Sequence, residues 1–230
     1  MAINYGKEHN MFRKLLHVLV SLLAPPRCIV CGDAMLDRPP YVLCPACEKK
    51  FELLTHPAES IGGVAAAAAV TDAGPARPLV KHFKYKNVRS VGPVLIQMMH
   101  ARMQTAFPCL PDVIVPLVLH RRRSRVRGFD QTILLGQGLA GLCGVPCKPG
   151  LLKRVRHTAP QVQLRAKARR ANMHGAFAAC PGMRGARVLL IDDVMTTGAT
   201  VAAGAAACRA AGAREVWALA FARTRPPRSP

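Results

Sequence analysis

Residues 187–201 constrain the fold most, because an apolar run, two adjacent acids and a hydroxyl-rich turn follow one another there directly. The apolar run, residues 188–191, has the β-branched pattern of a buried parallel strand. Asp192 and Asp193 come at the carboxyl end of this strand, which is where open α/β sheets bind their ligands. The pattern therefore predicts an α/β fold whose parallel sheet carries a binding site at the end of this strand.

The turn after the two acids has the composition of a phosphate-binding loop. It consists of Thr196, Thr197, Gly198, Ala199 and Thr200. Gly198 permits a close backbone approach or an unusual backbone dihedral, and the small residues at 199–211 predict a helix whose first N–H groups would favour a phosphate. Two carboxylates beside a phosphate suit a sugar diol or a bound magnesium ion. An isolated Asp-Asp pair would more simply be a solvated turn, but the complete string favours a sugar-phosphate site.

The net charge of the chain predicts anionic partners. The 230 residues include 33 Lys and Arg against 12 Asp and Glu, so the formal net charge is +21. The basic excess is concentrated between residues 120 and 187, where Asp130 is the only acid. Half of the residues are hydrophobic, which excludes a disordered chain. The length suffices for one large core with a small appendage.

Four of the nine cysteines have the spacing of a metal site. Cys28 and Cys31 form one C-x2-C pair, and Cys44 and Cys47 form a second pair after twelve intervening residues. Two such knuckles are typical of a structural zinc ion held by four thiolates. A disulfide framework is the weaker alternative, because nine cysteines cannot all pair and no secretory signal indicates an oxidising compartment. We predict a zinc-binding segment at residues 1–60 and a larger domain at residues 61–230.

Residues 12–23 carry Arg13 and Lys14 before an apolar stretch, and together they superficially resemble a signal peptide. The stretch is too short to span a bilayer, and its leucines recur at helical spacing. We expect an amphipathic helix packed on the body of the protein, with no membrane insertion. The free thiols then indicate a cytoplasmic location. Residues 1–10 lack any pattern, so Met11 is an alternative start.

A cluster of arginines follows a second predicted strand at residues 112–117. Five arginines occur there within seven residues, among them Arg121, Arg123 and Arg127. They cannot be buried unpaired. The segment is therefore either a loop that faces solvent or nucleic acid, or a grip for a diphosphate, to which the planar guanidinium group is suited. Its position after a strand of the same sheet favours the diphosphate.

Apolar patterns predict the remaining regular elements. These are strands at 61–70 and 151–155 and helices at 75–86, 91–103 and 132–142. Lys81, Lys84 and Lys86 on the first of these helices can form a strip that faces nucleic acid or a solvated lysine face. We favour the solvated face.

Four motifs occur in one order and together resemble the ComF family, which includes ComFC-like competence proteins and GntX-like proteins. They are the C-x2-C pairs, the H-x2-R-x3-R-G-F-[N/D]-Q string at residues 120–131, the R-x-T-x2-Q-x2-L-x4-R-x2-N series at residues 156–172, and the D-D-V-x-T-T-G-A-T run that begins at Asp192. The resemblance covers residues 11–224. Asp130 stands where Asn is usual, which adds one negative charge beside the arginines.

The resemblance implies a type I phosphoribosyltransferase domain with a zinc-binding amino-terminal segment. It implies that Asp192 and Asp193 face the ribose hydroxyls of phosphoribosyl pyrophosphate and that residues 196–200 wrap its 5′-phosphate. Magnesium and the arginines would hold the pyrophosphate. Thr196 stands where purine salvage enzymes of this fold carry an acidic base, which argues against a purine acceptor. The family is associated with DNA uptake in natural transformation, through a proposed cytosolic role with incoming single strands.

These expectations leave two functions of different class. The first is a magnesium-dependent phosphoribosyltransferase that moves the phosphoribosyl group to an acceptor, with catalysis by positioning and by charge neutralisation of the leaving group. The second is a non-catalytic factor that senses phosphoribosyl pyrophosphate or binds single-stranded DNA, with DNA-uptake proteins as partners. The net charge favours the second function, while the complete sugar-phosphate site favours at least ligand binding.

Overall fold

A computed structural model describes residues 27–35, 43–61, 63–85, 89–118, 130–155 and 175–224. The chain divides into two units, Met1–Lys50 and Phe51–Pro230. The residues just after Lys50 belong to the larger unit because their backbone continues its sheet. The N–H of Leu54 donates to the carbonyl oxygen of Ala69 at 3.0 Å. The smaller unit therefore ends at Lys50, whereas the zinc-binding segment predicted from the sequence extends to residue 60.

The smaller unit is built from turns and one short helix in its described residues, 27–35 and 43–50. Helix α1 (Pro45–Glu48) begins with its proline, a position where the missing N–H loses no helical hydrogen bond. Gly32, next to the first cysteine pair, has a φ of 79°, which glycine adopts without steric cost. The buried apolar side chains of these residues are those of Cys28, Met35, Leu43 and Cys47. So small a core gives little stability by itself.

A five-stranded sheet forms the centre of the larger unit. Its strands are β1 (Glu59–Ile61), β2 (Val64–Thr71), β3 (Val113–Pro116), β6 (Arg187–Met195) and β7 (Glu215–Arg223), and two further strands, β4 (Leu152–Arg154) and β5 (Phe177–Ala179), form a separate antiparallel pair. The sheet order is β1-β2-β7-β6-β3. β1 is antiparallel to β2, and the other neighbours are parallel. The predicted α/β class with a mostly parallel sheet is confirmed.

Helices cover both faces of this sheet. They are α2 (Ala76–Tyr85), α3 (Gly92–Ala106), α4 (Gln131–Cys143) and α5 (Ala199–Ala210), with 3-10 turns at Arg89–Val91 and Pro149–Leu151. Gly204 of α5 packs against Leu117, whereas Gly136 of α4 packs against Pro116. Because successive residues of an extended chain point to opposite faces, α5 and α4 lie on opposite sides of the sheet.

The structure differs from the sequence-based expectation in three strands. The region predicted as one strand, 61–70, contains the end of β1 and most of β2. Gly63 lies between these two strands with a φ of 73°. The predicted strand at 188–191 continues to Met195, because its last residues pair with β7. No pattern above singles out β7, although residues 216–222 are apolar.

The amphipathic helix expected at residues 12–23 lies outside the described residues. Within the part of the chain that the structure describes, no helix has both the length and the apolar character that crossing a membrane requires.

Candidate functional site

The two acids lie at the carboxyl edge of the sheet, on the last four residues of β6. We call these residues, 192–195, the ledge. β3 pairs with β6 only as far as Pro116 and Ile191, while β6 continues beside β7 to its last residue. Asp192 and Asp193 are therefore on the part of β6 that extends past the end of β3. Because successive side chains of a strand point to opposite faces, the two carboxyl groups leave the ledge in opposite directions.

Asp193 is buried and is paired with a lysine. Its side chain is 12% exposed, and its Oδ1 lies 2.7 Å from Nζ of Lys84, whose side chain is 19% exposed. Lys84 lies in the last turn of α2. The expected solvated face is correct for Lys81, which is exposed. It is wrong for Lys84, because helical spacing places this residue one turn after the buried Val80.

Asp192 is half-buried, and the pKa of its carboxyl group is raised to about 7. The largest cause is burial, which penalises the charged form, and repulsion by Asp193 adds to it. The charges of Lys84 and Arg154 and the backbone N–H of Asp193 act in the opposite direction. Near neutral pH the Asp192 carboxyl group is therefore only partly ionised, and a hydrogen-bond donor or a cation beside it would favour its ionised form.

The turn after the ledge and the start of α5 enclose a small hollow beside Asp192. Its lining consists of Asp192, Val194, Met195, Thr196, Gly198, Ala199, Thr200 and Val201. Gly198 is the N-cap of α5 with a φ of 73°, and a Cβ atom at this position would lie 2.0 Å from Cγ2 of Ile61. The unusual backbone dihedral and the close backbone approach expected of this glycine are thus both present. The positive end of the α5 dipole lies at the hollow, which suits a phosphate.

Thr197 differs from the other residues of the predicted loop, because it is not part of this lining. Its Oγ1 instead accepts a hydrogen bond of 3.4 Å from the N–H of Ala199. The hydroxyl therefore supports the first turn of the helix instead of lining the hollow.

Arg223 fixes the same turn from the neighbouring strand. Its NH1 group donates to the carbonyl oxygen of Thr196 at 2.9 Å, and its NH2 group lies 3.1 Å from Oε2 of Glu59. Arg223 is the last residue of β7, and its side chain is 17% exposed. A carbonyl oxygen that is held by a guanidinium group does not turn towards a bound anion. Arg223 therefore favours a loop geometry in which N–H groups are available to the hollow.

The arginine-rich segment begins and ends at this edge of the sheet. Residues 119–129, which include Arg121, Arg123 and Arg127, lie outside the described residues. Before the segment, the N–H of Leu117 donates to the carbonyl oxygen of Ile191 at 2.9 Å. After it, the hydroxyl of Thr132 donates to the carbonyl oxygen of Leu117 at 3.3 Å. Both ends are thus anchored next to the strand position that precedes Asp192.

Asp130 ends the arginine-rich segment as the N-cap of α4. Its Oδ1 accepts hydrogen bonds from the N–H of Thr132 at 3.0 Å, from the N–H of Ile133 at 3.4 Å and from the hydroxyl of Thr132 at 2.7 Å. Asn and Asp are similarly favoured as N-caps. Aspartate at the position where Asn is usual therefore keeps the helix start intact.

The second arginine-containing motif of the sequence, residues 156–172, comes between two described strands in the chain. Residues 156–174 lie outside the described part of the chain and join β4 to β5. These strands pair between Arg154 and Phe177, and the guanidinium carbon of Arg154 lies 5.6 Å from the centre of the Phe177 ring. This is a cation–π distance. The charge of the same guanidinium acts to lower the pKa of Asp192, so Arg154 adds positive charge near this acid.

The four paired cysteines form one cluster in the smaller unit. The sulfur atoms of Cys28, Cys31, Cys44 and Cys47 all lie within 4.8 Å of one another. Those of Cys31 and Cys44 are 3.6 Å apart. A tetrahedral site with Zn–S bonds of about 2.3 Å separates its sulfurs by about 3.8 Å. The cluster can therefore hold a metal ion.

Backbone amides favour a thiolate at one of these sulfurs. Burial raises the pKa of Cys28, but hydrogen bonds from the backbone of Cys31, Cys44 and Val30 outweigh burial and lower this pKa to about 6. The pKa of Cys47 is raised, mainly by burial. A cation among the sulfurs would stabilise all four thiolates together.

The chain is similar in sequence to bacterial proteins over most of its length. It is 33% identical to the DNA utilization protein YhgH of Salmonella typhi over 207 residues, which are 84% of this chain and 88% of that protein. It is 34% identical to competence protein F of Haemophilus influenzae over 153 residues, which are 63% of this chain and 67% of that protein. The chain belongs to the ComF family.

Solved structures that share part of the fold of this ComF-family chain include a phosphoribosylpyrophosphate amidotransferase and an adenine phosphoribosyltransferase. The glutamine phosphoribosylpyrophosphate amidotransferase of B. subtilis has a TM-score of 0.41 and 22% identity, over 61% of the ComF chain and 30% of the amidotransferase. The adenine phosphoribosyltransferase of Leishmania tarentolae has a TM-score of 0.37 and 17% identity, over 62% of this chain and 74% of that one. The likeness is partial and concerns the fold alone. No family model matches the chain.

Three basic residues of the ComF-family site are absent from the sequence-based set. They are Lys84, Arg154 and Arg223, which end or nearly end α2, β4 and β7. For Arg223 the available signal was a basic residue at the end of an apolar run, since carboxyl ends of parallel strands share one edge. Lys84 ends a helix and Arg154 ends an antiparallel strand, so this signal does not apply to them. Even for Arg223, the signal alone does not say which acid or carbonyl group the side chain meets.

Proposed function

We propose that this ComF-family protein binds phosphoribosyl pyrophosphate together with magnesium and transfers its phosphoribosyl group to an acceptor nucleophile. The observation that carries the proposal is the hollow in which Asp192 and the start of α5 lie side by side. The N–H groups of residues 198–200 would bind the 5′-phosphate, and the acidic pair would accept hydrogen bonds from the ribose hydroxyls. One ligand then spans both halves of the site.

The proposed reaction is a displacement at the anomeric carbon. A bond forms between the acceptor and this carbon, the bond to the pyrophosphate oxygen breaks, and pyrophosphate leaves with the electron pair. Arg121, Arg123 and Arg127 are proposed to bind the leaving group, because their segment is anchored beside Asp192. Magnesium, when bound with the diphosphate, supplies further neutralisation of its charge. Positioning and electrostatics then account for catalysis, with no acid at position 196 to deprotonate a purine.

The metal proposed for the four-cysteine cluster is zinc in a structural role. Four thiolates are the ligand set typical of structural zinc sites, and they leave no coordination position for water. The separation of the sulfurs supports this assignment. The zinc site is therefore proposed to stabilise the smaller unit and to take no part in the transfer.

Calorimetric titration of the wild-type protein with phosphoribosyl pyrophosphate and magnesium tests the proposal. The double variant Asp192→Asn/Asp193→Asn should raise Kd about 100-fold, since lost hydrogen bonds to charged acceptors total about 3 kcal/mol. Asp112→Asn is the matched control, because Asp112 lies at the opposite end of β6, paired with Arg187. Its Kd should equal that of the wild type. Unchanged binding in the double variant would refute the site.

Pyrophosphate release separates transfer from binding alone. Wild-type protein is incubated with phosphoribosyl pyrophosphate, magnesium and a panel of bases, amines and nucleotides. Release with one acceptor class, abolished in the double variant, supports the transferase. Binding without release for every acceptor supports the non-catalytic sensor.

Single-stranded DNA is a second candidate ligand, because the net charge is +21 and similar proteins are named for DNA utilization and competence. Binding through phosphates predicts an affinity that falls steeply with salt, with a slope of roughly −0.7 for each phosphate contacted in a plot of log K against log salt. Fluorescence anisotropy of a labelled oligonucleotide at several salt concentrations measures this slope. A flat response would remove DNA as a direct partner.

A further inference from the structure

Lys84 lies where the acidic pair, helix α2 and the end of the arginine-rich segment meet. Its ammonium group contacts Asp193, and its carbonyl oxygen accepts a hydrogen bond of 3.2 Å from Nε2 of Gln131. Gln131 follows Asp130, the residue that caps α4. One lysine therefore connects the acid of the proposed ribose site to the segment proposed to bind the diphosphate.

The ion pair between Lys84 and Asp193 is largely enclosed. With the two side chains 19% and 12% exposed and the charged atoms 2.7 Å apart, each group lacks most of its hydration. A carboxylate in such surroundings stays charged and oriented only if a cation or several donors hold it. Lys84 supplies that cation from an element outside the β6 strand.

The backbone contact fixes the place from which the lysine reaches the ledge. Gln131 is 1% exposed, so its amide side chain has a defined position in the core. Its hydrogen bond to the carbonyl oxygen of Lys84 satisfies an acceptor at the end of α2, where helical partners are missing. The lysine side chain therefore extends to Asp193 from an anchored helix end.

We propose that Lys84 is a positioning residue for sugar recognition, which holds the Asp193 carboxylate in the orientation that binding of the ribose hydroxyls requires. This inference rests on the proposed function. Lys84 acts through Asp193 and does not contact the ligand. Asp192 lines the hollow itself and is the second acid proposed to accept hydrogen bonds from the ribose hydroxyls. The two acids thus have unequal surroundings, because Asp193 forms the ion pair with Lys84, whereas the lysine acts on Asp192 only through its charge.

A comparison of two ligands tests the role of Lys84 in the full-length protein. Phosphoribosyl pyrophosphate carries the diol, and inorganic pyrophosphate lacks it; both are titrated with magnesium by calorimetry. Lys84→Met should raise Kd for phosphoribosyl pyrophosphate roughly tenfold or more, while Kd for pyrophosphate stays within about threefold. Lys81→Met is the matched control, because Lys81 is an exposed lysine on the same helix. It should leave both affinities unchanged.

A double-mutant cycle separates a positioning role from a general loss of structure. In Lys84→Met/Asp193→Asn neither charge remains, so no carboxylate is left without its cation, and thermal unfolding should show a folded protein. If Lys84 acts through Asp193, adding Lys84→Met to Asp193→Asn has no further effect on Kd. Additive losses would overturn the proposal.

The outcomes distinguish a failure of the proposed function from a failure of the role proposed for Lys84. A wild-type protein that fails to bind phosphoribosyl pyrophosphate overturns both the proposed function and the role of Lys84. A wild-type protein that binds it, with Lys84→Met equally tight or equally weakened for both ligands, overturns the role of Lys84 alone. A loss confined to the ligand with the diol supports it.

Discussion

Chelation of the zinc proposed for the four-cysteine cluster is expected to unfold the described residues of the smaller unit, 27–35 and 43–50. Structural zinc in comparable small fingers contributes about 10–16 kcal/mol to folding. The buried apolar side chains of these residues number only four, which cannot replace such a contribution. Hydrogen exchange read by mass spectrometry should show amides near Cys28 and in α1 exchanging at unfolded rates after chelation. Amides of β6 should keep their protection.

Two cysteine variants separate loss of the metal from side effects of the chelator. Cys28→Ser removes one ligand and should reproduce the fast exchange without chelator. Cys180→Ser is the matched control, because this cysteine lies outside the cluster, next to β5, and should leave exchange in the smaller unit unchanged. Protection of α1 that survives chelation in the wild type would contradict a structural metal.

Features encoded within one short stretch could be predicted from the sequence. The four cysteines occur as two pairs in twenty residues, and their sulfurs form one group. The apolar run, the acids and the turn at 187–201 form one strand and the start of one helix, since local pattern fixes each of them. Gly198 illustrates the same point, because a single residue type signals both its dihedral and its close contact.

Features that depend on distant residues could not be predicted in this way. Arg223 meets Glu59, which is 164 positions earlier in the chain, and Lys84 meets Asp193 across the fold. Helical spacing places Lys84 one turn after the buried Val80, but only the packing of α2 near the ledge shows that its partner is Asp193. The length of β6 is a further case, because the pairing with β7 extends it past the predicted end. Strand partners are set by topology and not by the strand's own residues.

Gly198→Ala is expected to destabilise the protein by about 2–5 kcal/mol and to weaken phosphate binding. The φ of 73° costs a residue with a Cβ atom about 1–2 kcal/mol. The new Cβ would lie 2.0 Å from Cγ2 of Ile61, and such overpacking typically costs about 1–3 kcal/mol. Ile61 is β-branched and lies on a strand, so it has little freedom to move aside. Urea unfolding measures the loss of stability, and titration with phosphate measures the loss of affinity that displacement of the loop causes.

Two further variants divide this effect into its parts. Ile61→Ala in the Gly198→Ala background removes the collision and should restore part of the phosphate affinity, whereas the cost of the backbone dihedral remains. Gly141→Ala is the matched control, because this glycine lies in α4 and a Cβ atom there meets nothing within 4 Å. It should stabilise the protein by up to about 1 kcal/mol. Equal stability of Gly198→Ala and wild type would show that the loop before α5 does not require the left-handed glycine.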